Sequence, residues 1–311
     1  MSSNYPNGID GLVLRDQPIL QTQPGKVFWV NSTTVLGAGQ KVGGSDGNAG
    51  TVAAPFATID KGINSCTASR GDVILVMPGH TETVADATSL VPDVAGVAII
   101  GLGAGALRPT ISLSTAASSV IMSAASSAIK NILFLAEHDN TIMVEVTGAD
   151  SAIEDCEFRS RIASTARQFV TAVDIGGASA NDCDRTVVSG CTFTSPAAGS
   201  TDAIKLSEVC EGVVIKGCQV FGDFSVAPIH NPTGKVCTNL TVSDCVLKNT
   251  QTGDLALELV SACTGALIRN YYATDISGAV GSVDPGSANS FECFATDAID
   301  VSGLLSPVVA S

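Results

Sequence analysis

The chain has 311 residues, with 16 Lys+Arg against 30 Asp+Glu and a formal net charge of −14. This acidic balance excludes a broad electrostatic surface for nucleic acid or for an anionic membrane. Hydrophobic residues make up 45%, charged residues 15% and aromatic residues 5%, with 31 glycines. That composition excludes disorder over most of the chain and favours short strands and turns over helices.

The first 35 residues are predicted to form an extended arm that docks onto a partner. They contain Pro6, Pro18 and Pro24 and show little periodicity. The first eight residues have neither a basic region nor an apolar one, so we expect no secretion signal. No run of 18 apolar residues occurs, so we expect no membrane span.

Residues 36–70 are predicted to contain a Gly-rich loop followed by one helix. Pro55 suits the first turn of that helix, and Gly71 lies just beyond its end. The helix is indicated by apolar residues spaced 3, 4 and 3 positions apart, namely Phe56, Ile59, Ile63 and Cys66.

Residues 71–273 carry an internal repeat. Six segments align without gaps, at 127–134, 151–158, 186–193, 213–220, 240–247 and 266–273. One position in each repeat holds Asn, Asp or Gly, the residue types that best tolerate a left-handed backbone. These predicted bend positions are Asn131, Asp155, Gly190, Gly217, Asp244 and Asn270.

Apolar columns flank the predicted bend on both sides. The column before it reads Ile129, Ile153, Val188, Ile215, Val242 and Ile268. A second apolar column lies three residues after the bend. Its first three members are aromatic and the others are smaller: Phe134, Phe158, Phe193, Val220, Leu247 and Ala273. Alternate residues of a strand point to the same face, so both columns are expected to face inward.

Two columns of cysteine repeat with the same period. The column after the bend reads Ile132, Cys156, Cys191, Cys218, Cys245 and Tyr271, and its steps are 24, 35, 27, 27 and 26 residues. A second column of cysteines lies eight residues before the last four members of the first. Its steps are 27, 27 and 26 residues, and its members are Cys183, Cys210, Cys237 and Cys263.

A strand, a one-residue bend and a second strand in each repeat predict one coil of a single-stranded parallel β-helix. We expect an all-β fold of about eight or nine coils, each stacked on the next at about 4.8 Å, with the helix capping the N-terminal end. The cysteines then form buried ladders of reduced thiols, with disulfides or metal ligation as the alternatives. No cofactor and no metal are predicted.

The C-terminal stretch, 274–311, breaks the period and is predicted to be a cap or tail. Phe291, Cys293 and Phe294 are compatible with a last partial coil. The apolar end of the chain either covers the top of the stack or docks onto a partner.

A glycan-cleaving site is the enzymatic alternative, either a glycoside hydrolase or a polysaccharide lyase. Hydrolysis uses two carboxylates about 5–9.5 Å apart. The candidates on the outer faces are Glu154, Glu157, Asp182, Asp184 and Asp244. None repeats in a pattern that distinguishes catalysis from a solvated strand face, so no catalytic residue is predicted. A G-x-S-x-G match at 43–47 lacks the strand and helix that a nucleophile elbow needs.

Several motifs together resemble a known superfamily. They are Gly-Ser-Asp-Gly-Asn at 44–48, Pro-Phe-Ala-Thr-Ile-Asp at 55–60, Gly-Asp-Val-Ile-Leu-Val-Met-Pro-Gly-His at 71–80, Val-Ala-Ile-Ile-Gly-Leu-Gly at 97–103 and the coils that follow. They look like the pectin-lyase-like right-handed β-helix superfamily, and more narrowly like β-helix proteins of tailed-bacteriophage virions. The calcium carboxylates and essential Arg of pectate lyases are not recognisable.

The resemblance implies a non-enzymatic virion structural protein, a capsid decoration or head-fibre protein assembled in the host cytoplasm. It implies a homotrimer that docks on the major capsid protein lattice, with neither nucleic acid nor membrane as a partner. The alternative is a tail fibre or tailspike that binds or cleaves host surface polysaccharide.

Overall fold

Each repeat of the sequence forms one turn of a parallel β-solenoid in the computed structural model. The structure describes residues 13–14, 17–18, 25–33, 42–161, 167–177, 179–260, 262–274, 283–286, 288–296 and 304–305. Three parallel sheets run along the solenoid, and we call them A, B and C in the order in which the chain passes through them. The predicted all-β parallel β-helix is confirmed.

Sheet A comes first in each turn, and its strands pair in parallel from one turn to the next. Its strands, in stacking order, are Val27–Val30, Val73–Val76, Ala98–Gly101, Ala128–Lys130, Ala152–Glu154, Val187–Ser189, Val214–Lys216, Leu240–Ser243 and the first halves of Thr264–Ala273 and Ala288–Thr296.

Sheet B follows sheet A across a sharp corner. Its strands are Thr81–Val84, Thr110–Leu113, Leu133–Ala136, Glu157–Ser160, the first parts of Thr192–Leu206 and Gln219–His230, Val246–Asn249, and the second halves of Thr264–Ala273 and Ala288–Thr296.

Sheet C closes the turn before the chain returns to sheet A. Its strands are Val120–Met122, Asn140–Val146, Phe169–Ile175, the second parts of Thr192–Leu206 and Gln219–His230, Leu257–Glu258 and Val283–Asp284.

Short elements complete the described residues. They are a parallel pair, Cys210–Glu211 with Cys237–Thr238; an antiparallel pair, Val13–Leu14 with Gln17–Pro18; a strand antiparallel to the last turn, Leu304–Leu305; a 3₁₀ helix, Gly105–Leu107; and an α-helix, Ile59–Ile63.

The solenoid has about seven turns that contain all three sheets. In the described residues, sheet C begins only at Val120–Met122, so the turn formed by Val73–Val76 and Thr81–Val84 has sheets A and B alone. After Thr81–Val84, Asp86 folds the chain into a tight turn by accepting hydrogen bonds from the Thr88 N–H and hydroxyl, both at 2.8 Å. This Asx-type turn takes the place of a third strand.

The corner between sheets A and B contains one left-handed residue in each of the six aligned repeats. Five of the predicted bend positions have φ between 52° and 64°, namely Asn131, Asp155, Gly190, Gly217 and Asp244. The sixth, Asn270, does not. Arg269 has the positive φ, 52°, and Asn270 lies buried inside the corner.

The sixth repeat is therefore shifted by one residue from the predicted alignment. Leu267, not Ile268, pairs with Val242, and Tyr272, not Ala273, pairs with Leu247. The sixth member of the cysteine column, Tyr271, is 55% exposed. Asn270 takes its place, accepting a hydrogen bond from the Cys245 N–H (2.9 Å) and donating one to the Val242 carbonyl (2.9 Å). The cause is a shorter strand, because Arg269 follows Cys263 by six residues whereas Asp244 follows Cys237 by seven.

A second ladder of bends precedes sheet A, and the sequence did not suggest it. Six of its seven N–H groups donate to a carbonyl of the next turn, and the Asn239 N–H donates to the Thr264 hydroxyl (3.4 Å). Its members, with φ between 55° and 74°, are Ser69, Gly96, Ser126, Asp150, Arg185, Gly212 and Asn239. In both ladders an arginine at positive φ stacks on an aspartate at positive φ. Arg185 Nε lies 2.6 Å from Asp150 Oδ1, and Arg269 Nε lies 2.7 Å from Asp244 Oδ1.

The interior is filled by ladders of like residues. Phe158 stacks between Phe134 and Phe193, with ring centroids 5.0 and 4.8 Å apart. The thiol of Cys156 donates to the Glu154 carbonyl (3.3 Å), across the bend. Cys191, Cys218 and Cys245 repeat this contact in the following turns. The second column, Cys183, Cys210, Cys237 and Cys263, is also buried. A small side chain with a weak donor suits this tight corner.

The N-terminal end differs from the prediction in two places. Val27–Val30, assigned to the arm of residues 1–35, is the first strand of sheet A. The helix has only five residues and starts after Thr58, whose hydroxyl accepts from the Lys61 N–H, so Pro55 lies before it. Its buried Ile59 and Ile63 pack on the first two strands of sheet A. The Gly-rich loop is tied to the helix start by Asp46, which accepts from the Ala57 and Thr58 N–H groups.

Candidate functional site

One face of the solenoid carries a column of ionisable side chains. In six of the seven described strands of sheet C, one charged or titratable residue lies next to apolar residues that point inward, as in Val144-Glu145-Val146. The central residue points outward because successive side chains of a strand alternate. We call this column the sheet C charge ladder, and its members are Glu145, Asp174, Lys205, His230, Glu258 and Asp284.

The ladder is continuous over six turns. Glu145 pairs in register with Asp174, and Asp174 pairs in register with Lys205. Lys205 pairs with His230, and His230 with Glu258. Neighbouring strands in a sheet are about 4.8 Å apart, so each side chain is within reach of the next.

Asp174 is the most buried member of the ladder, with 7% of its surface exposed. Burial raises the pKa of its carboxyl group, and the negative charge of Asp202 adds to the rise. The Ser207 hydroxyl and Lys205 oppose it. Gly176 leaves room for this serine, because a Cβ there would lie 2.0 Å from the Ser207 Oγ. Burial, followed by the charge of Asp174, also raises the pKa of Glu145.

Three buried polar atoms beside the ladder have no hydrogen-bond partner among the described residues. They are Asp174 Oδ1, Asp202 Oδ1 and His230 Nδ1. Asp202 is only 2% exposed, and its Oδ1 lies 3.0 Å from His230 Nδ1 without the alignment of a hydrogen bond. Buried polar groups are almost always paired in native proteins, so the Asp174 Oδ1 beside this ion pair suggests a place where a ligand makes a hydrogen bond.

A cavity of about 370 Å³ lies at the C-terminal end of the ladder. Its lining includes His230, Glu258 and Asp284, with Asn231 and Thr233 beside them. The cavity therefore continues the ladder and presents both acceptors and donors. In the described ranges, no three His, Cys, Asp or Glu side chains come together in a way that would hold a metal ion.

The carboxylates singled out in the sequence lie elsewhere and have other partners. Glu154 pairs with Lys130 (3.3 Å), Glu157 with Arg108 (3.1 Å), and Asp244 with Arg269. Asp182 accepts from the Ser179 N–H (3.1 Å), and Asp184 from the Glu211 N–H (2.8 Å). None of these five belongs to the ladder.

The ladder residues were missed because the distance from the bend to sheet C changes from turn to turn. Asp174 follows the bend residue Asp155 by 19 residues, but Lys205 follows Gly190 by 15. A usable signal was present in the sequence. Triplets with a charged residue between two apolar ones recur as Val144-Glu145-Val146, Val173-Asp174-Ile175, Ile204-Lys205-Leu206 and Leu257-Glu258-Leu259.

Comparison with solved structures identifies the class of fold. The chain has a right-handed parallel β-helix fold, and its fold is similar to that of pectate lyases. A rhamnogalacturonan lyase matches it with a TM-score of 0.57 and 14% identity, over 80% of this chain and 70% of the lyase. Pectate lyase Pel9A matches with a TM-score of 0.56 and 12% identity, over 91% of this chain and 79% of the lyase. At these identities the likeness shows the fold alone.

Two other comparisons and one structural test give negative results. No family model matches the chain, and no curated protein matches it significantly. None of the helices in the described part of the chain has the length and hydropathy of a membrane span.

Proposed function

We propose that the protein binds a polysaccharide chain along the outer face of sheet C. The observation that carries the proposal is the continuous sheet C charge ladder, beside which lie the buried ion pair of Asp202 and His230 (3.0 Å) and an Asp174 Oδ1 without a hydrogen-bond partner among the described residues. A polymer with a repeating unit can meet a repeating protein surface several times, and each contact adds to the affinity. The two similar solved structures are lyases whose names refer to polysaccharides, which supports this class of ligand.

The charge of the ladder favours a neutral polymer over a polyanion. Glu145, Asp174, Glu258 and Asp284 are acidic, whereas Lys205 and His230 are the basic members. An anionic chain would meet like charges along most of its length, and that repulsion opposes binding. Hydroxyl groups of neutral sugars would instead donate hydrogen bonds to the carboxylates and accept them from Lys205.

The test is binding of purified neutral, amino-containing and uronate polysaccharides by isothermal titration calorimetry. We expect the double variant Asp174→Asn, Asp202→Asn to bind the preferred polymer about 10-fold or more weakly, since two charge-assisted hydrogen bonds are lost. Asp244→Asn, at the corner between sheets A and B, is the matched control and should bind normally. Wild-type affinity in the double variant would contradict the proposal. Reducing-end release would reveal hydrolysis of a bound chain, and ultraviolet absorbance of an unsaturated product would reveal lyase activity.

A role as a self-associating virion surface protein is the second candidate, supported by an exposed apolar column on sheet B. Val246, Tyr271 and Phe294 are in register on adjacent turns, and the last two rings stack 5.1 Å apart. Phe221 is also exposed on this sheet. Large exposed apolar side chains in contact often mark a protein interface. The column supports the predicted homotrimer, and the sequence resemblance supports placing it on a phage head.

Two measurements test this second candidate. Analytical ultracentrifugation should give a trimer for the wild type and a monomer for Tyr271→Glu, while Val52→Glu, at an exposed residue of the N-terminal region, should stay trimeric. A monomeric wild type would contradict self-association. Immunogold labelling of phage particles should place the protein on the head. Label at the tail tip would favour host recognition through sheet C, and unlabelled particles would contradict the virion role.

A further inference from the structure

A serine, a histidine and a glutamate form a hydrogen-bonded chain at the N-terminal end of the solenoid, far along the sequence from the sheet C charge ladder. Ser32 Oγ lies 3.4 Å from His80 Nδ1, and His80 Nε2 lies 3.1 Å from Glu82 Oε2. The imidazole ring is fully buried, and Ser32 is 6% exposed. A hydroxyl, a base and a carboxylate that orients the base are the three parts of an activated nucleophile.

The fold brings these residues together by stacking the first two turns. Ser32 follows the first strand of sheet A, Val27–Val30, while His80 and Glu82 lie at the start of the first strand of sheet B, Thr81–Val84. The Thr81 N–H donates to Ser32 Oγ at 2.7 Å and fixes its position. The hydroxyl proton has two acceptors within reach, His80 Nδ1 and the Thr81 carbonyl at 3.2 Å.

Glu82 determines which nitrogen of the imidazole carries the proton. Its Oε2 also accepts from the Ile59 N–H (3.0 Å), which holds the carboxylate in place. A carboxylate facing Nε2 favours a proton on Nε2, and this leaves Nδ1 as the acceptor that faces Ser32. The tautomer required of a general base is therefore the one that the surroundings stabilise.

The hydrogen-bonded side chains of Ser32, His80 and Glu82 lie beside a cavity of about 660 Å³. Ser32 and Glu82 belong to its lining, and the other lining residues are small or polar, including Thr58, Thr83 and Ser89. Asp60 also lines the cavity, and burial is the main cause that raises its pKa. The cavity is large enough for a small substrate and presents no cationic side chain among the described lining residues, so an anionic substrate would be unfavourable.

We propose that Ser32, His80 and Glu82 form a second site that hydrolyses short-chain carboxylic esters of neutral alcohols. Ser32 Oγ forms a bond to the ester carbonyl carbon while its proton moves to His80 Nδ1. The carbon–oxygen bond to the alcohol then breaks, and the alcohol leaves with that proton. Water next gives a proton to Nδ1 and its hydroxyl to the acyl carbon. The carboxylic acid departs, and Ser32 regains its proton.

The roles of the three residues differ. Ser32 is the catalytic nucleophile and His80 the general base. Glu82 is a positioning residue, because it acts on the ester through the imidazole. The site is independent of the proposed polysaccharide binding, since no residue is shared with the sheet C charge ladder.

The test uses the full chain with two probes, p-nitrophenyl acetate and a fluorophosphonate that labels activated serines. Mass spectrometry of the labelled wild type should find the phosphonate on Ser32. Ser32→Ala should lose the label and lower the rate of acetate release by about 100-fold or more, as should His80→Gln, because a general base contributes about 10²–10⁴. Glu82→Gln should lower kcat more than it changes KM.

Ser45→Ala is the matched control, because Ser45 is exposed in the nearby Gly-rich loop and belongs to the G-x-S-x-G match. It should keep both the label and the wild-type rate. Circular dichroism melting of each variant shows whether it is folded. A folded wild type that is unlabelled at Ser32, or a folded Ser32→Ala that keeps the wild-type rate, would overturn the proposal. Neither result would affect polysaccharide binding, which Asp174 and Asp202 variants test separately.

Discussion

The corner between sheets A and B and the outer face of sheet C are built from the same turns but follow different rules. At the corner, each turn repeats one bend, one cysteine-sized position and one large apolar position, and its polar groups have partners. On sheet C, the spacing varies, carboxylates are partly buried, and three buried polar atoms lack a hydrogen-bond partner among the described residues, although two of them, on Asp202 and His230, form an ion pair. The corner, where every turn repeats the same residue types, serves stability. The candidate site lies on sheet C, where spacing and residue types differ from turn to turn.

The largest expected effect concerns the aromatic ladder inside sheet B. Phe158→Ala should lower the free energy of unfolding by about 3–5 kcal/mol, because it removes a ring packed between Phe134 and Phe193. Guanidinium denaturation followed by circular dichroism measures the change. Phe221→Ala is the control on the same sheet, where the ring is exposed, and should cost about 0.5 kcal/mol or less. Similar costs for the two variants would contradict the assignment of the interior.

The next effect concerns the bend itself. Gly217 has φ 62°, and a Cβ built there would approach no atom closer than 3.9 Å. Gly217→Ala should therefore cost about 1–2 kcal/mol through backbone strain alone. Gly217→Asn should cost less, because Asn tolerates this conformation, as Asn131 does three turns earlier in the same ladder of bends. Equal losses of stability for Ala and Asn would show that φ is not the cause.

A smaller effect of opposite sign is expected on sheet C. The pKa of Asp174 is raised mainly by burial, so ionisation of this carboxyl group destabilises the fold. Asp174→Asn should raise the free energy of unfolding at neutral pH by about 1 kcal/mol, the lower end of the cost of a buried unpaired group. The gain should shrink as the pH falls and vanish below about pH 3, where the carboxyl group is protonated in the folded and unfolded chains alike.

Asp244 is the control, because its substitution should change the stability in the opposite direction. The pKa of Asp244 is lowered, chiefly by its hydrogen bonds with Arg269. Its ionised form stabilises the fold, and that contribution is lost as the pH falls through the folded pKa. Asp244→Asn should therefore destabilise the protein at neutral pH. Melting curves of Asp174→Asn and Asp244→Asn, recorded between acidic and neutral pH, measure both effects. Changes of melting temperature with the same sign in the two variants would contradict this prediction.

The smallest expected effect concerns Arg269, which combines a positive φ with an exposed ion pair to Asp244. Arg269→Ala should lower the melting temperature slightly at low salt and less at high salt, because ions screen exposed pairs. Arg269→Asn should be at least as stable as the Ala variant, since Asn tolerates the bend. If the fall in melting temperature of Arg269→Ala did not depend on salt concentration, the ion pair would be ruled out as its cause.

The sequence predicted the corner well because a one-residue bend allows no variation in length. Asp155, Gly190 and Gly217 could be aligned by residue type and spacing alone. Asn270 was assigned to the bend because its residue type fits, and only the paired strands reveal that Arg269 occupies it. The ion pair to Asp244 accompanies this choice, and an ion pair between turns cannot be seen before the turns are stacked.

The candidate site could not be predicted in the same way. Glu145, Asp174 and Lys205 are far apart in sequence, and each looks like an ordinary outward residue of a strand. Their burial and shared column depend on loops of unequal length between sheets B and C. The Ser32–His80–Glu82 chain was equally hidden, because its serine and histidine are 48 residues apart.

The buried cysteines have a consequence for the lifetime of the protein. Nine of the ten lie inside the solenoid, where oxidants in solution cannot reach them, and Cys66 is half-buried. Unfolding would expose all of the thiols at once. In air they would form disulfides at random, and these would trap the unfolded protein. Unfolding without a reductant then becomes a one-way step, so the height of the unfolding barrier, more than the equilibrium between states, decides how long the protein survives.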